Sequence, residues 1–170
     1  MIQESYLSIF AAKEAERFKL KVGVFLFLIQ DGRILLLRRY RTGVDDGCYV
    51  VPMGGHDGNE PLTQTLIREA KEEINIDLEP ENLSVCHVMH RFYPMPNNLS
   101  FEQIDFYFRI KKYKGTIQNN ETDRCDNLAF FPLDALPQAT EPFVLAALAH
   151  IAKGEFYSEW GFNNPNGDIQ

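Results

Sequence analysis

A glycine-rich loop that runs straight into a helix with crowded carboxylates constrains this chain more than any other feature. The stretch spans Gly54 to Ile76 and opens Gly-Gly-His-Asp-Gly-Asn-Glu. Pro61 suits a first helical position, because its ring presets φ and its missing N–H is not needed there. From Leu62 onward, Leu66, Ile67, Ala70 and Ile74 recur at helical spacing. Glu69, Glu72 and Glu73 fall on a neighbouring face, where residues three and four apart meet. Like charges so placed oppose one another by about 0.2–0.5 kcal/mol per pair. Glu72 and Glu73 also lie in the last turn, where the helix dipole favours cations, and Arg68 and Lys71 give only partial relief. A solvated acidic face accounts for many such runs. A site for a hard divalent cation accounts for this one as well, since Mg²⁺ binds through a few carboxylates plus substrate phosphates.

Composition narrows the function. The chain has 170 residues, 45% of them hydrophobic, and no internal repeat, which suits one domain with its own core. A net charge of −7 argues against sustained binding to DNA or RNA, which takes a basic face. Small phosphorylated ligands stay compatible, because a bound cation supplies positive charge locally. Cys48, Cys86 and Cys125 lack metal-ligand spacing and are odd in number, so free thiols in a reducing cytoplasm are expected. No apolar run reaches membrane-spanning length and the N-terminus lacks a signal-peptide pattern, so no membrane partner is expected.

Residues 1–19 mix apolar and charged side chains without deciding between helix and strand, and are set apart as an N-terminal extension. Residues 20–30 predict a buried strand, Asp31-Gly32 a hairpin turn, and Arg33 to Tyr40 the returning strand. Arg38, Arg39 and Arg41 close that hairpin as a solvated rim or as a phosphate contact, and Arg38 is the candidate for substrate. Tyr49 to Met53 leads, extended, into the glycine loop. Strands are expected over 83–93, 101–113 and 128–131, with a loop at 94–100 and a polar segment at 114–127 that contains Glu121. Strand alternation puts Val85, His87 and Met89 on one face and His90 on the other. A second amphipathic helix spans 141–153, ended by Gly154. The tail, 154–170, carries Phe156, Tyr157, Trp160 and Phe162 before Asn-Asn-Pro-Asn-Gly-Asp. Its aromatics either close the core or stack on a base. This order predicts an α/β class, an α+β arrangement around a mixed sheet, with one domain over 20–153.

The central stretch resembles the signature of the Nudix hydrolases: Gly, five residues, Glu, seven residues, Arg-Glu, an aliphatic, any residue, Glu-Glu, any residue, Gly, an aliphatic. Gly54, Glu60, Arg68-Glu69, Ala70, Glu72-Glu73 and Ile76 take those places. Asn75 stands where the family has its last glycine, a place that looks like a left-handed helix cap, which Asn tolerates best after Gly. The resemblance implies an α/β/α sandwich and Mg²⁺-dependent hydrolysis of a diphosphate linkage, with Mn²⁺ as a substitute cation. It implies Glu69, Glu72 and Glu73 as metal ligands, in agreement with their grouping, with Glu60 and the Gly54 carbonyl beside them. Arg68 would hold the loop or the glutamates. Tyr49 and Met53 would lie near the substrate pocket. The general base would be a box glutamate such as Glu72 or Glu73, Glu121 in the later loop, or Glu102 at a strand start.

Substrate marks outside the signature are mixed. The proline of ADP-ribose enzymes is absent, with Arg91 in its place, while Tyr93 meets the tyrosine mark of dinucleoside polyphosphate enzymes. The short build and aromatic tail resemble the mutator-type branch, which cleaves a nucleoside triphosphate to monophosphate and pyrophosphate. Trp160 would then stack on the base. Dinucleoside polyphosphates, nucleotide sugars, and a sensing module without turnover remain the alternatives. The expected partner is a small phosphorylated nucleotide, and a homodimer is left open.

Overall fold

The fold follows from one strand that is apolar on both faces. A computed structural model describes residues 2–94 and 100–162. The chain runs α1 (Ile2–Glu16), β1 (Lys21–Phe27), β2 (Ile29–Gln30), β3 (Arg33–Arg39), β4 (Tyr49–Val50), β5 (Met53–Gly55) and α2 (Leu62–Ile74). It continues through β6 (Leu83–Pro94), β7 (Ser100–Ile110), β8 (Cys125–Pro132), α3 (Pro142–Ala152) and β9 (Tyr157–Trp160). Val24, Leu26 and Leu28 join one buried cluster with Leu66, Ala70 and Ile74 of α2. Phe25 and Phe27 point the other way, into a second cluster with Phe143, Val144 and Ala147 of α3. Two helices therefore cover opposite faces of the sheet, and the layered α/β architecture is as the sequence implies.

The strands form a mixed sheet in the order β5-β1-β7-β6-β9, with β1 parallel to β7 and β6 parallel to β9. A second sheet is built on β3, which pairs with β2, β4 and β8. The expected hairpin is only partly as read. Asp31 and Gly32 make the turn, both with positive φ, but only β2 pairs with β3 across it. The chain leaves the first sheet at Leu28, so residues 20–30 are two strands in two sheets. The expected single face of Val85, His87 and Met89 is also interrupted. A bulge between Val85 and His87 leaves Val85 on the α2 side, while His87 lies against Tyr107 and His150 on the α3 side. Residues 157–160 of the tail join the sheet as an edge strand. The undecided N-terminal extension is a helix, with Ile9 and Phe10 exposed. The expected loop at 94–100 and the Asn-rich end of the tail lie outside the described residues, apart from the two loop ends.

Packing decides why α2 forms despite its acidic crowding. Fully burying a Leu or Ile contributes about 1.5–3 kcal/mol, which for Leu66 and Ile74 exceeds the few tenths lost per carboxylate pair. The helix ends at Asn75, in the left-handed region with φ 59° and ψ 29°, and the Asn75 N–H bonds the Lys71 carbonyl. Asn75→Gly is therefore expected to leave stability unchanged or slightly raised. Asn75→Val should cost about 1–2 kcal/mol. Equal denaturation midpoints for Asn75→Val and wild type would refute this account of the helix end.

Candidate active site

The glycine loop and α2 meet at a close approach, where any side chain at 54 would displace the Glu69 carboxyl group. A Cβ at Gly54 would collide with the Glu69 carboxyl group. β5 pairs with β1 through Gly54 and Val24, so the sheet holds this backbone against the helix. Arg68 then ties the two together. Its Nη1 donates to Glu69 Oε1 at 2.6 Å, and its Nη2 donates to Glu60 Oε1 at 3.2 Å and to the Gly55 carbonyl at 3.4 Å. The Thr65 hydroxyl donates to the same Glu60 oxygen at 2.9 Å, so the His56 Nδ1–H, 3.1 Å away, must be the donor to Thr65. His56 and Thr65 were not singled out from the sequence, because no local pattern marks a hydroxyl for a partner on a loop.

Glu73 is held differently. Its Oε2 accepts from the Met53 backbone N–H at 2.9 Å. Burial pushes its carboxyl well above the usual carboxylate range, against that hydrogen bond, and the nearby Glu69 and Glu121 push it further. Burial likewise raises Glu69, opposed by Arg68 and reinforced by Glu72 and Glu121. Glu60 moves the other way, lowered by the Thr65 hydroxyl and by Arg68. Arg68 is raised above its ordinary value, because its bonds to Glu60 and Glu69 outweigh the burial of its charge.

A cavity of about 540 Å³ opens over these groups. Glu69, Glu72, Glu73 and Glu121 line it together with Gly54 and Met53, and so do Arg39, Arg41 and Arg124. Glu121 comes from a segment docked on the C-terminal end of α2. The N–H of Gln118 bonds the Ile74 carbonyl at 3.1 Å, that of Asn120 bonds the Glu73 carbonyl at 3.0 Å, and the Asn120 amide reaches the Lys71 carbonyl at 3.3 Å. The first two bonds satisfy carbonyls that the helix end leaves orphaned, and the third adds to the Asn75 bond on Lys71. Among the described residues no three His, Cys, Asp or Glu side chains are already gathered into a ligand set. The donor chemistry still fits a hard cation: the oxygens are carboxylate, two of them are pushed toward protonation by burial and mutual charge, and they border an open cavity.

The NUDIX domain family model matches residues 17–151. The chain belongs to the Nudix family. It is 30% identical to a MutT Nudix hydrolase of Burkholderia pseudomallei, whose crystal structure it matches over 78% of this chain and 98% of that one, with a TM-score of 0.68. A MutT protein of Bacillus halodurans shares the fold at 16% identity and a TM-score of 0.67, over 88% of this chain and 94% of that one. A UDP-X diphosphatase shares it at 18% identity and a TM-score of 0.55, over 88% and 74% respectively. No curated protein matches the sequence. This Nudix chain is accordingly a pyrophosphohydrolase acting on acid anhydrides, in a family that generally uses divalent metal cations.

Three substrate candidates need correction on geometric grounds. Arg38 does not line the cavity; its Nε and Nη2 both bond the Asp126 carboxylate at 2.7 Å. Tyr49 is its cross-strand partner and shares its face, with the ring edge-on to Phe131, so it too is absent from the cavity wall. Alternation on β3 gives that place to Leu37 and Arg39 instead. Trp160 is 5% exposed, stacked on Tyr93 and edge-on to Phe143, so its ring belongs to the core and offers no open face to a base. Glu102 bonds His90 at 2.9 Å and is not among the cavity residues, whereas Glu121 and the box glutamates Glu69, Glu72 and Glu73 are. No described helix is long and apolar enough to cross a membrane.

The raised Glu73 carboxyl has a consequence for stability. Above its unfolded pKa the folded state opposes ionisation, and the cost grows until pH passes the folded pKa. Glu73→Gln keeps an acceptor for Met53 and removes that cost. Its melting temperature should therefore gain on wild type as pH rises from about 5 to about 8. Millimolar Mg²⁺ should narrow the gap by stabilising wild type, more at the higher pH. A gap that is independent of pH would refute the buried-carboxylate account.

Proposed function

We propose that this Nudix hydrolase cleaves a nucleoside triphosphate to a nucleoside monophosphate and pyrophosphate with Mg²⁺. The observation that carries the proposal is the mixed lining of one cavity, in which four glutamates and four arginines border the same space. An anhydride chain needs both. Its oxygens need cations, and the attacking water needs an acceptor for its proton. The 30% identity to a MutT-type enzyme over nearly all of that chain favours the triphosphate among Nudix substrates.

Glu69, Glu72 and Glu73 would hold the cation, with the Gly54 carbonyl as a further oxygen and Glu60 steadying the set through Arg68. Mg²⁺, with Mn²⁺ as its substitute, would supply charge neutralisation at the anhydride and acidify a water. In the overall reaction the water oxygen bonds to one phosphorus flanking the α–β bridge. The bridging P–O bond breaks and the proton passes to a carboxylate. Glu121 is the base of choice, because it lies on the cavity wall without being tied to Arg68 or to Met53. Arg39 is pre-set on that wall by its bonds to the Val44 carbonyl at 2.8 Å and the Thr42 hydroxyl at 3.1 Å. The place of action expected from the free thiols is the cytoplasm.

A panel of nucleotides with Mg²⁺ tests the reading. Nucleoside triphosphates should yield pyrophosphate faster than ADP-ribose or a dinucleoside polyphosphate yields its products. Glu72→Gln should lower kcat by about two orders of magnitude or more with the fold intact, and Glu121→Gln should lower kcat as well. Preference for ADP-ribose or for a dinucleoside polyphosphate would overturn the substrate. Metal-dependent binding with no turnover of any substrate would favour the sensing module.

A further inference from the structure

Arg124 lines the cavity as Arg39, Arg41 and Arg68 do, but differs from them in how its side chain is engaged. It lies on the cavity wall that carries the acidic cluster. Among the described residues its side chain has no hydrogen-bond or ion-pair partner, whereas Arg68 is spent on Glu60 and Glu69 and Arg39 on Val44 and Thr42. Arg41 lies over the Tyr40 ring, 4.7 Å from its centre. The Arg124 backbone, by contrast with its side chain, is firmly placed. Its N–H bonds the Glu121 carbonyl at 2.9 Å, and its carbonyl accepts from Tyr40 at 2.8 Å, between Arg39 and Arg41.

The segment that holds it is fixed at both ends. The Asn119 amide donates to the Cys125 carbonyl at 2.7 Å, and its oxygen accepts from the Glu121 N–H at 3.1 Å. Asn120 anchors the same turn to α2 through the Glu73 and Lys71 carbonyls. One turn thus delivers an acid and an unpaired guanidinium to the site together. A fixed backbone under an exposed guanidinium that has no protein partner among the described residues contributes nothing to the core. It suits a ligand that arrives with acceptors of its own, and the planar fork matches phosphate oxygens.

We propose that Arg124 binds the phosphates that leave as pyrophosphate and so sets a preference for triphosphates over diphosphates. This rests on the pyrophosphohydrolase reading of the same cavity, and it concerns a residue outside the signature. Arg124 touches substrate rather than fold, so Arg124→Ala should melt as wild type does. Its KM for a nucleoside triphosphate and its Ki for product pyrophosphate should each rise about tenfold, the worth of one charge-assisted hydrogen bond. KM for the matching nucleoside diphosphate should rise less, and Arg124→Lys should recover part of the loss. Should the arginine merely brace the turn, kcat would fall through Glu121 while KM and Ki held, and lysine would not rescue; that pattern overturns the proposal. Ki and KM within about twofold of wild type would overturn it too. Calorimetric binding of Mg²⁺-pyrophosphate keeps the two readings separable. If wild type cleaves no triphosphate, the substrate reading fails. A tenfold weaker titration for Arg124→Ala would then still support the phosphate contact, and equal or absent binding in both proteins would refute it.

Discussion

The rest of the site depends on the confinement of Glu69 and Glu73 between α2 and the β5 backbone. Glycine at 54 lets the Glu69 carboxyl pack against the main chain, and the Met53 N–H receives Glu73. Neither carboxylate is comfortable there, since burial and mutual charge raise both. Arg68 relieves Glu69 and, through Glu60, fixes the loop that closes over it. The arrangement holds because the cost is local while the apolar burial of Leu66, Ala70 and Ile74 behind it is larger. A helix that pays for its acidic face with its apolar one can keep several carboxylates at the edge of a cavity. A divalent cation would turn that residual repulsion into binding free energy.

The parts of this design encoded over short distances were legible in the sequence. The apolar period, the proline at the helix start, the glycine loop and the three glutamates all lie within one stretch, and Glu69, Glu72 and Glu73 line one cavity beside Gly54. The two-sided burial of β1 could be read from its unbroken apolar run. What escaped the sequence depends on contacts between distant segments. Arg38 looked equivalent to Arg39, and only Asp126 on β8 and the strand's parity separate them. For Trp160 the sequence leaves core closure and base stacking both open, and the pairing of β9 with β6 and the contact with Phe143 of α3 decide for the core.

The turn at Asn119–Arg124 shows the same limit from the other side. Glu121 could be picked as an acid in a polar loop, but nothing in its neighbourhood shows that Asn120 bonds carbonyls of a helix 49 residues away. Arg124 was missed because a cation in a turn-rich segment reads as solvent-facing. An acid and an arginine three residues apart in one tight turn were the available signal. The bulge at Cys86 was likewise invisible, since alternation assumes an unbroken ladder.

The most direct test of the central claim is the titration of the Glu69 and Glu73 carboxyl carbons by NMR, with and without Mg²⁺. Without metal both should titrate above the ordinary glutamate range, Glu73 more than Glu69, and Glu60 below it. Saturating Mg²⁺ should bring Glu69 and Glu73 down together. Ordinary titration of Glu73 in the metal-free protein, unchanged by Mg²⁺, would contradict the account.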